Sequence, residues 1–304
     1  MPKLLIHTGI HKTGTTTIQN TFYNNRSALA AQGFFYPLTG LSEAENNWGH
    51  HALAYALRQE PSGRAMWQAL RAEADQSQAD KIVVSSEELS LLPFPTLGAL
   101  QPYRIIAETF KGYEIQLICY LRPQADMVAS LYNHHVKSIG EARGILDFMA
   151  DIAPRLDYMQ YLHVAGSGLG DAAIHVRRFA REWLKGDILE DFAQYIGLDL
   201  NAGIKRPKAT LNPGLSVQGL HQMIEANTRL ADDPERLKRE RLQILRRNKA
   251  QPFESCNMLE TDIQRAITAL YHYKNIQIGR RFLRMDGSVF DPSAKPLPRP
   301  PAKS

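Results

Sequence analysis

Gly9-Ile10-His11-Lys12-Thr13-Gly14-Thr15-Thr16 sets two glycines in a GxxxxG frame and closes on a pair of threonines. Residues of these types at this spacing aim backbone N–H groups at an anion, and a helix that follows adds the partial positive charge of its N-terminus. In the usual triphosphate-binding loop a lysine follows the second glycine and reaches the terminal phosphates. Thr15 stands at that position here, and the lysine lies inside the loop as Lys12. A lysine there meets the anion at the loop tip and can touch an oxygen that bridges a phosphate and a group in transfer. The competing reading is a Gly/Thr turn that only joins two elements.

A second anion-binding pair is Arg122 with Ser130, eight residues further on. A guanidinium and a hydroxyl together clamp a phosphate; taken alone, an arginine at a strand end reads as a surface ion-pair partner. Transfer to a hydroxyl or amine also needs a base. Glu87, in Val83-Val84-Ser85-Ser86-Glu87-Glu88, is the candidate, while Glu88 better fits an acid that pairs with a helix dipole. The rivals are His51 and His50, in Asn46-Asn47-Trp48-Gly49-His50-His51. A histidine titrates near neutrality and can take a proton, and an Asn/Trp/His loop suits a sugar or another polar acceptor. Helix capping and packing are the alternative for this loop. His134 and His135 share a helix with Ser130 and read as partly solvated; His7 reads as buried.

These residues need elements to hold them. Leu4 to His7 is a short apolar run entering a turn, and Thr15 to Ala31 follows with helical spacing through Ile18, Phe22 and Leu29. Lys81 to Ser86, Glu114 to Leu121 and Ala172 to Val176 read as further buried strands. Helices are expected in Asn46 to Arg58 after a polar loop, then over Ser62 to Gln78, Leu97 to Phe110, Gln124 to Lys137 and Ile188 to Ile196, the last ended by Gly197. Short apolar strands alternating with helices predict an α/β fold with a P-loop-like central parallel sheet flanked by helices. Arg122 and Glu87 then fall at the carboxyl ends of strands, where open α/β sheets bind ligands. After Gly203 the pattern changes to three helical stretches, a helical C-terminal part. One domain is expected over residues 1–290, mainly helical over 203–290, with a Pro-rich tail over 291–304 that is extended or disordered.

The bulk numbers narrow the class. At 304 residues, 44% hydrophobic and 22% charged, the chain has ordinary globular composition. A net charge of +5 suits an anionic ligand but does not demand nucleic acid, which usually needs a clustered basic face. Cys119, in an apolar run, and Cys256 form no metal or disulfide pattern, so no metal site is expected. The apolar stretch at Met1 to His7 is too short for a signal peptide, and no run reaches the ~18 apolar residues of a membrane span. A cytoplasmic protein follows as the expectation. The cluster from Arg236 to Lys249 reads as a solvated helix face, with attraction of an acidic acceptor as its second reading.

Ile6-His7-Thr8-Gly9-Ile10-His11-Lys12-Thr13-Gly14-Thr15-Thr16 resembles the 5′-phosphosulfate loop of sulfotransferases that use 3′-phosphoadenosine 5′-phosphosulfate (PAPS), especially their bacterial members. Tyr120-Leu121-Arg122 with Ser130 resembles their 3′-phosphate site, at the same Arg-to-Ser spacing. The resemblance implies that His11, Lys12, Thr13, Gly14, Thr15 and Thr16 hold the 5′ end, that Arg122 and Ser130 hold the 3′-phosphate, and that Lys12 also acts in catalysis. It implies transfer of a sulfuryl group from PAPS to a small-molecule or carbohydrate acceptor, with release of adenosine 3′,5′-bisphosphate (PAP). By type and position Glu87 resembles the family's base. Gly279-Arg280-Arg281 is similar to the basic segment the family lays over the 3′-phosphate, and Asn212-Pro213-Gly214-Leu215-Ser216 to its Asn-x-Ser-Leu segment, with the Ser and Leu displaced. Two alternatives stay open beside it: a P-loop kinase using ATP and Mg²⁺, and a catalytically idle nucleotide-binding protein acting through protein contacts.

Overall fold

The structure, a computed structural model, describes residues 1–42, 48–59, 62–91, 101–207, 214–250 and 258–297, without the side chains of 249 and 250. The chain divides into two compact units. The first comprises Met1–Arg122, Tyr158–Lys208 and His272–Ser304; the second comprises Pro123–Asp157 and Ala209–Tyr271.

The first unit is built on five parallel strands: β1 (Lys3–His7), β2 (Phe34–Phe35), β3 (Lys81–Ser85), β4 (Glu114–Leu121) and β5 (Ile174–Arg178), in the order β2-β3-β1-β4-β5. Helices α1 (Thr15–Asn24), α2 (Arg26–Ala30), α3 (His51–Ala56), α4 (Ser62–Ser77), α5 (Pro102–Thr109), α8 (Tyr158–Leu169) and α9 (Ile188–Ile196) flank it. Every residue of β1 from Leu4 to His7 is buried, as a parallel strand covered on both faces must be. Leu5, Val83, Ile118 and Tyr120 join Ile18 and Phe22 of α1 and Phe192 of α9 in one core. Cys119, one residue out of phase with that set, lies by Tyr103 of α5 and Tyr161 of α8, and burial pushes its thiol up to about 12. The P-loop-like parallel sheet expected from the sequence is therefore present, and Cys119 is the buried thiol expected.

The second unit is helical: α6 (Gln124–Ser138), α7 (Ile145–Ile152), α10 (Val217–Arg229), α11 (Pro234–Ala250) and the first part of α12 (Thr261–Ile278). Asn133 of α6 holds the Leu215 backbone from both sides at 2.9 Å, and Asn227 of α10 donates to the carbonyls of Val136 and Glu141. No helix among the described residues is long and apolar enough to cross a membrane.

Several boundaries differ from the sequence reading. The helix expected over Thr15 to Ala31 is two helices, because the Asn25 amide leaves the helical path to bind the Lys205 backbone as donor and acceptor, at 2.9 and 2.8 Å. Strand β5 begins two residues late; Asp171–Ala173 is a 3-10 turn, and buried Ile174 and Val176 alternate with half-buried His175 and Arg177 on this edge strand. β2, α7, α8 and the two-stranded pair β6 (Met285–Asp286) with β7 (Lys295–Pro296) add to the elements expected from the sequence. Within the Pro-rich tail, residues 291–297 thus include β7; residues 298–304, with Cys256, Asn46, Asn47, Asn212 and Pro213, lie outside the described residues.

Candidate active site

The loop from Thr8 to Gly14 leaves β1 still bonded to β4: Thr8 N–H donates to Ile118 O at 2.9 Å and Ile10 N–H to Tyr120 O at 3.1 Å. Lys12 and Gly14 both take left-handed backbone angles, with φ of 67° and 77°. Such residues in a turn make the concave arrays of N–H groups that receive anions. Gly14 is the N-cap of α1 and no side chain caps that terminus; Thr17 N–H is taken by the Gly14 carbonyl at 3.0 Å, and the Thr15 and Thr16 N–H groups are left to a ligand or solvent. Gly9 is required by space, since a Cβ there would lie 2.4 Å from Thr13 Oγ1. The buried Thr13 hydroxyl donates to Ile10 O at 2.6 Å and closes the loop, so what Thr13 offers a ligand is its main-chain N–H. Thr15 is buried, Thr16 exposed, and His11, Lys12 and Gly14 half-buried.

Arg122 follows the last residue of β4, and its Nη1 donates to the Lys12 carbonyl at 3.1 Å. Its guanidinium also lies 5.8 Å from the Phe179 ring. The two sequence-predicted anion sites of the first unit are thereby adjacent. Ser130 is half-buried on α6, in the other unit.

Glu87 opens the 3-10 turn Glu87–Leu91 that follows β3, at the carboxyl end expected for it. Gln19 of α1 donates to its Oε2 at 2.8 Å. Burial pushes the Glu87 carboxyl up, but the nearby His51 and His11 and the Gln19 hydrogen bond pull it down further, leaving it below its ordinary value. The group is therefore a carboxylate at neutral pH. Glu88 is spent differently: it lies 3.4 Å from Arg58 and 3.7 Å from the His11 ring.

The histidines separate sharply. His50 is buried, its Nδ1 accepts from Ser85 N–H at 3.2 Å, and its Nε2 must then donate to Pro37 O at 3.0 Å. Both nitrogens are used, and burial lowers its pKa to about 4. His7 bonds Ser85 Oγ at 2.8 Å and is likewise held neutral by burial, to about 4. His51 has Nδ1 at 2.9 Å from Ser86 Oγ and stands beside Glu87, so the structure brings the two candidate bases together. His134 and His135 are half-buried on α6, as expected. Arg281 is engaged by Asp171 through two bonds of 2.6 and 2.8 Å, and Arg280 by Asp286 at 3.0 Å.

Three residues escaped the sequence reading. Gln19 orients Glu87; Tyr161 hydrogen-bonds Thr8 at the loop's start; Ser86 holds His51. The legible signal was the polar run Gln19-Asn20-Thr21 inside the apolar stripe of α1, all of it buried.

Loop, parallel sheet and strand-end arginine together make a P-loop-like α/β fold. No family model matches the chain, and no curated protein does. Among solved structures, a sulfotransferase from Alicyclobacillus acidocaldarius is similar, at 15% identity and a TM-score of 0.41, covering 79% of this chain and 95% of that one.

Proposed function

We propose that this protein transfers a sulfuryl group from PAPS to a hydroxyl or amine of its acceptor and releases PAP. The observation that carries the reading is the bond from Arg122 to the Lys12 carbonyl, which sets a guanidinium for one phosphate against a main-chain cradle for another. A nucleotide with anions at both its 3′ and 5′ positions fits that pairing; a nucleoside monophosphate fills half of it. In this reading the N–H groups from Lys12 to Thr16 hold the 5′-phosphosulfate, and Arg122 takes the 3′-phosphate. Ser130 is retained as Arg122's partner on sequence spacing alone.

When bound, PAPS supplies an electrophilic sulfur with a phosphate as leaving group. Glu87, a carboxylate oriented by Gln19, takes the proton from the acceptor's O–H or N–H as that atom bonds to sulfur. The sulfur–oxygen bond to the 5′-phosphate breaks, and its electron pair stays on the phosphate oxygen, where Lys12 neutralises the new charge. His51 positions the acceptor.

Thermal shift with PAP, AMP and ATP tests the two-anion site, because a ligand at ~100 times its dissociation constant stabilises by about 2.7 kcal/mol. PAP is expected to raise Tm well above AMP or ATP, and incubation with PAPS and an acceptor panel in excess EDTA to yield a product heavier by one sulfuryl group. Equal shifts for PAP and AMP would sink the two-anion site, and activity with ATP that chelation abolishes and Mg²⁺ restores would replace this reading with a kinase.

A further inference from the structure

The second unit carries a charged surface to which none of the groups assigned above to the reaction belongs. On α11, Arg236, Arg239, Arg246 and Arg247 are exposed, and helical spacing gathers them around Gln243. They form a stripe about 100° wide and about 16 Å long. Lys238 widens it. None of these cations has a carboxylate partner among the described residues: Glu240 is taken by Arg229 at 2.5 Å, and Glu235 stands at the stripe's N-terminal edge. Arg241, on the opposite side, instead donates to the carbonyls of Val136 and Lys137 and anchors the helix. A row of unpaired like charges repels itself, and an anion laid along it removes that cost.

Beside the stripe lies a small cleft of about 120 Å³, lined by Ser216, Gln218, Gln222, Ile244, Arg247 and Asn248. Ser216 and Asn248 are occupied, the first in capping α10 at Gly219 and the second with the backbone of Ser216 and Gly214. Gln218, Gln222 and Arg247 make no side-chain hydrogen bond among the described residues. A primary amide donates and accepts, as a sugar hydroxyl does, and a guanidinium receives a carboxylate or sulfate in bidentate fashion. The cleft offers no aromatic ring on which a nucleobase could stack. Leu242 is the exposed apolar side chain of this face, too little for insertion into lipid.

We propose that this face binds an acidic oligosaccharide, with one carboxylated or sulfated sugar in the cleft against Arg247 and the chain running along Arg239 and Arg246. This names an acceptor class for the transfer proposed above and rests on that reading only for the chemistry, since the binding is independent of it.

Calorimetric titration of the full chain with an oligogalacturonate, a neutral glucan of equal length, a single-stranded oligonucleotide and anionic phospholipid vesicles tests it. The oligogalacturonate is expected to bind with a salt-sensitive affinity. That affinity should fall at least tenfold in Arg239→Glu/Arg246→Glu and severalfold in Gln222→Ala, with the PAP-induced Tm shift unchanged. Absence of oligogalacturonate binding overturns the proposal. So does neutral glucan bound equally well, or oligonucleotide or vesicles bound as tightly. Because PAP is read separately, loss of the PAP shift with sugar binding intact removes the transferase reading alone.

Discussion

The Nη1 of Arg122 lies 3.1 Å from the carbonyl oxygen of Lys12, so the residue that follows β4 also holds the turn of the phosphate loop. Replacement of Arg122 by alanine is expected to weaken PAP by one to two decades, the worth of a charged hydrogen bond of roughly 1.5–3 kcal/mol. Isothermal titration with PAP and AMP separates its two roles. A loss confined to PAP marks direct contact with the 3′-phosphate. Equal losses for both ligands show that Arg122 acts through the loop and sink that assignment.

Glu87→Gln should bind PAP as the wild type does and turn over about 10²–10⁴-fold more slowly, the usual effect of losing a general base. Since its neighbours hold the Glu87 carboxyl below its ordinary value, the acid limb of kcat/KM should lie at or below the normal carboxylate range. His51→Ala should act chiefly on acceptor KM. A limb near the ordinary histidine value of ~6.5 that vanishes in His51→Ala, with Glu87→Gln still active, would move the base to His51.

Gly49→Ala probes the same cluster from behind. A Cβ at Gly49 would lie 2.6 Å from the His51 ring and 2.8 Å from Gln19 Nε2. Both are closer than a Cβ tolerates, so both must shift, which disturbs His51 and the hydrogen bond that orients Glu87. Overpacking of this kind costs about 1–3 kcal/mol. A lower Tm and a lower kcat with unchanged PAP affinity are expected; wild-type turnover would show that neither contact matters to the reaction.

Stability should fall in mild acid. His7 and His50 are neutral in the folded chain, with pKa values pulled from 6.5 to about 4, so the unfolded chain binds protons first. Their contribution is complete above pH ~6.5 and is lost as pH drops from there to about 4, on the order of 3 kcal/mol for each. Urea unfolding of wild type and His50→Gln across that range measures it. The variant should show a visibly shallower slope, and an identical slope would assign the acid sensitivity elsewhere.

What the sequence disclosed follows from how locally each feature is encoded. β4 and α9 were bounded correctly because an apolar run ends at Arg122 and a helical stripe ends at Gly197. The phosphate loop was legible because its glycines sit between a strand and a helix that neighbour it in the chain. Gln19 was not, because its partner Glu87 is brought by the pairing of β1 with β3. His50 and His51 looked alike in sequence; only the path of the Ser85-Ser86 backbone makes the first a fixture of the core and the second a neighbour of Glu87. α7 and α8 were passed over although each buries an apolar face, Phe148 and Ile152 in one and Tyr158, Tyr161 and Leu162 in the other.

The amide of Asn25 ends α1 by reaching the backbone of Lys205, a residue 180 positions later. The boundary of the helix that presents the phosphate loop is thus set by chain that is synthesised long after it. A nascent chain that has not reached Lys205 leaves the Asn25 amide only its local bond to the Thr21 carbonyl, at 2.7 Å within α1. The break between α1 and α2 gains its second partner only when the chain around Lys205 closes over Asn25.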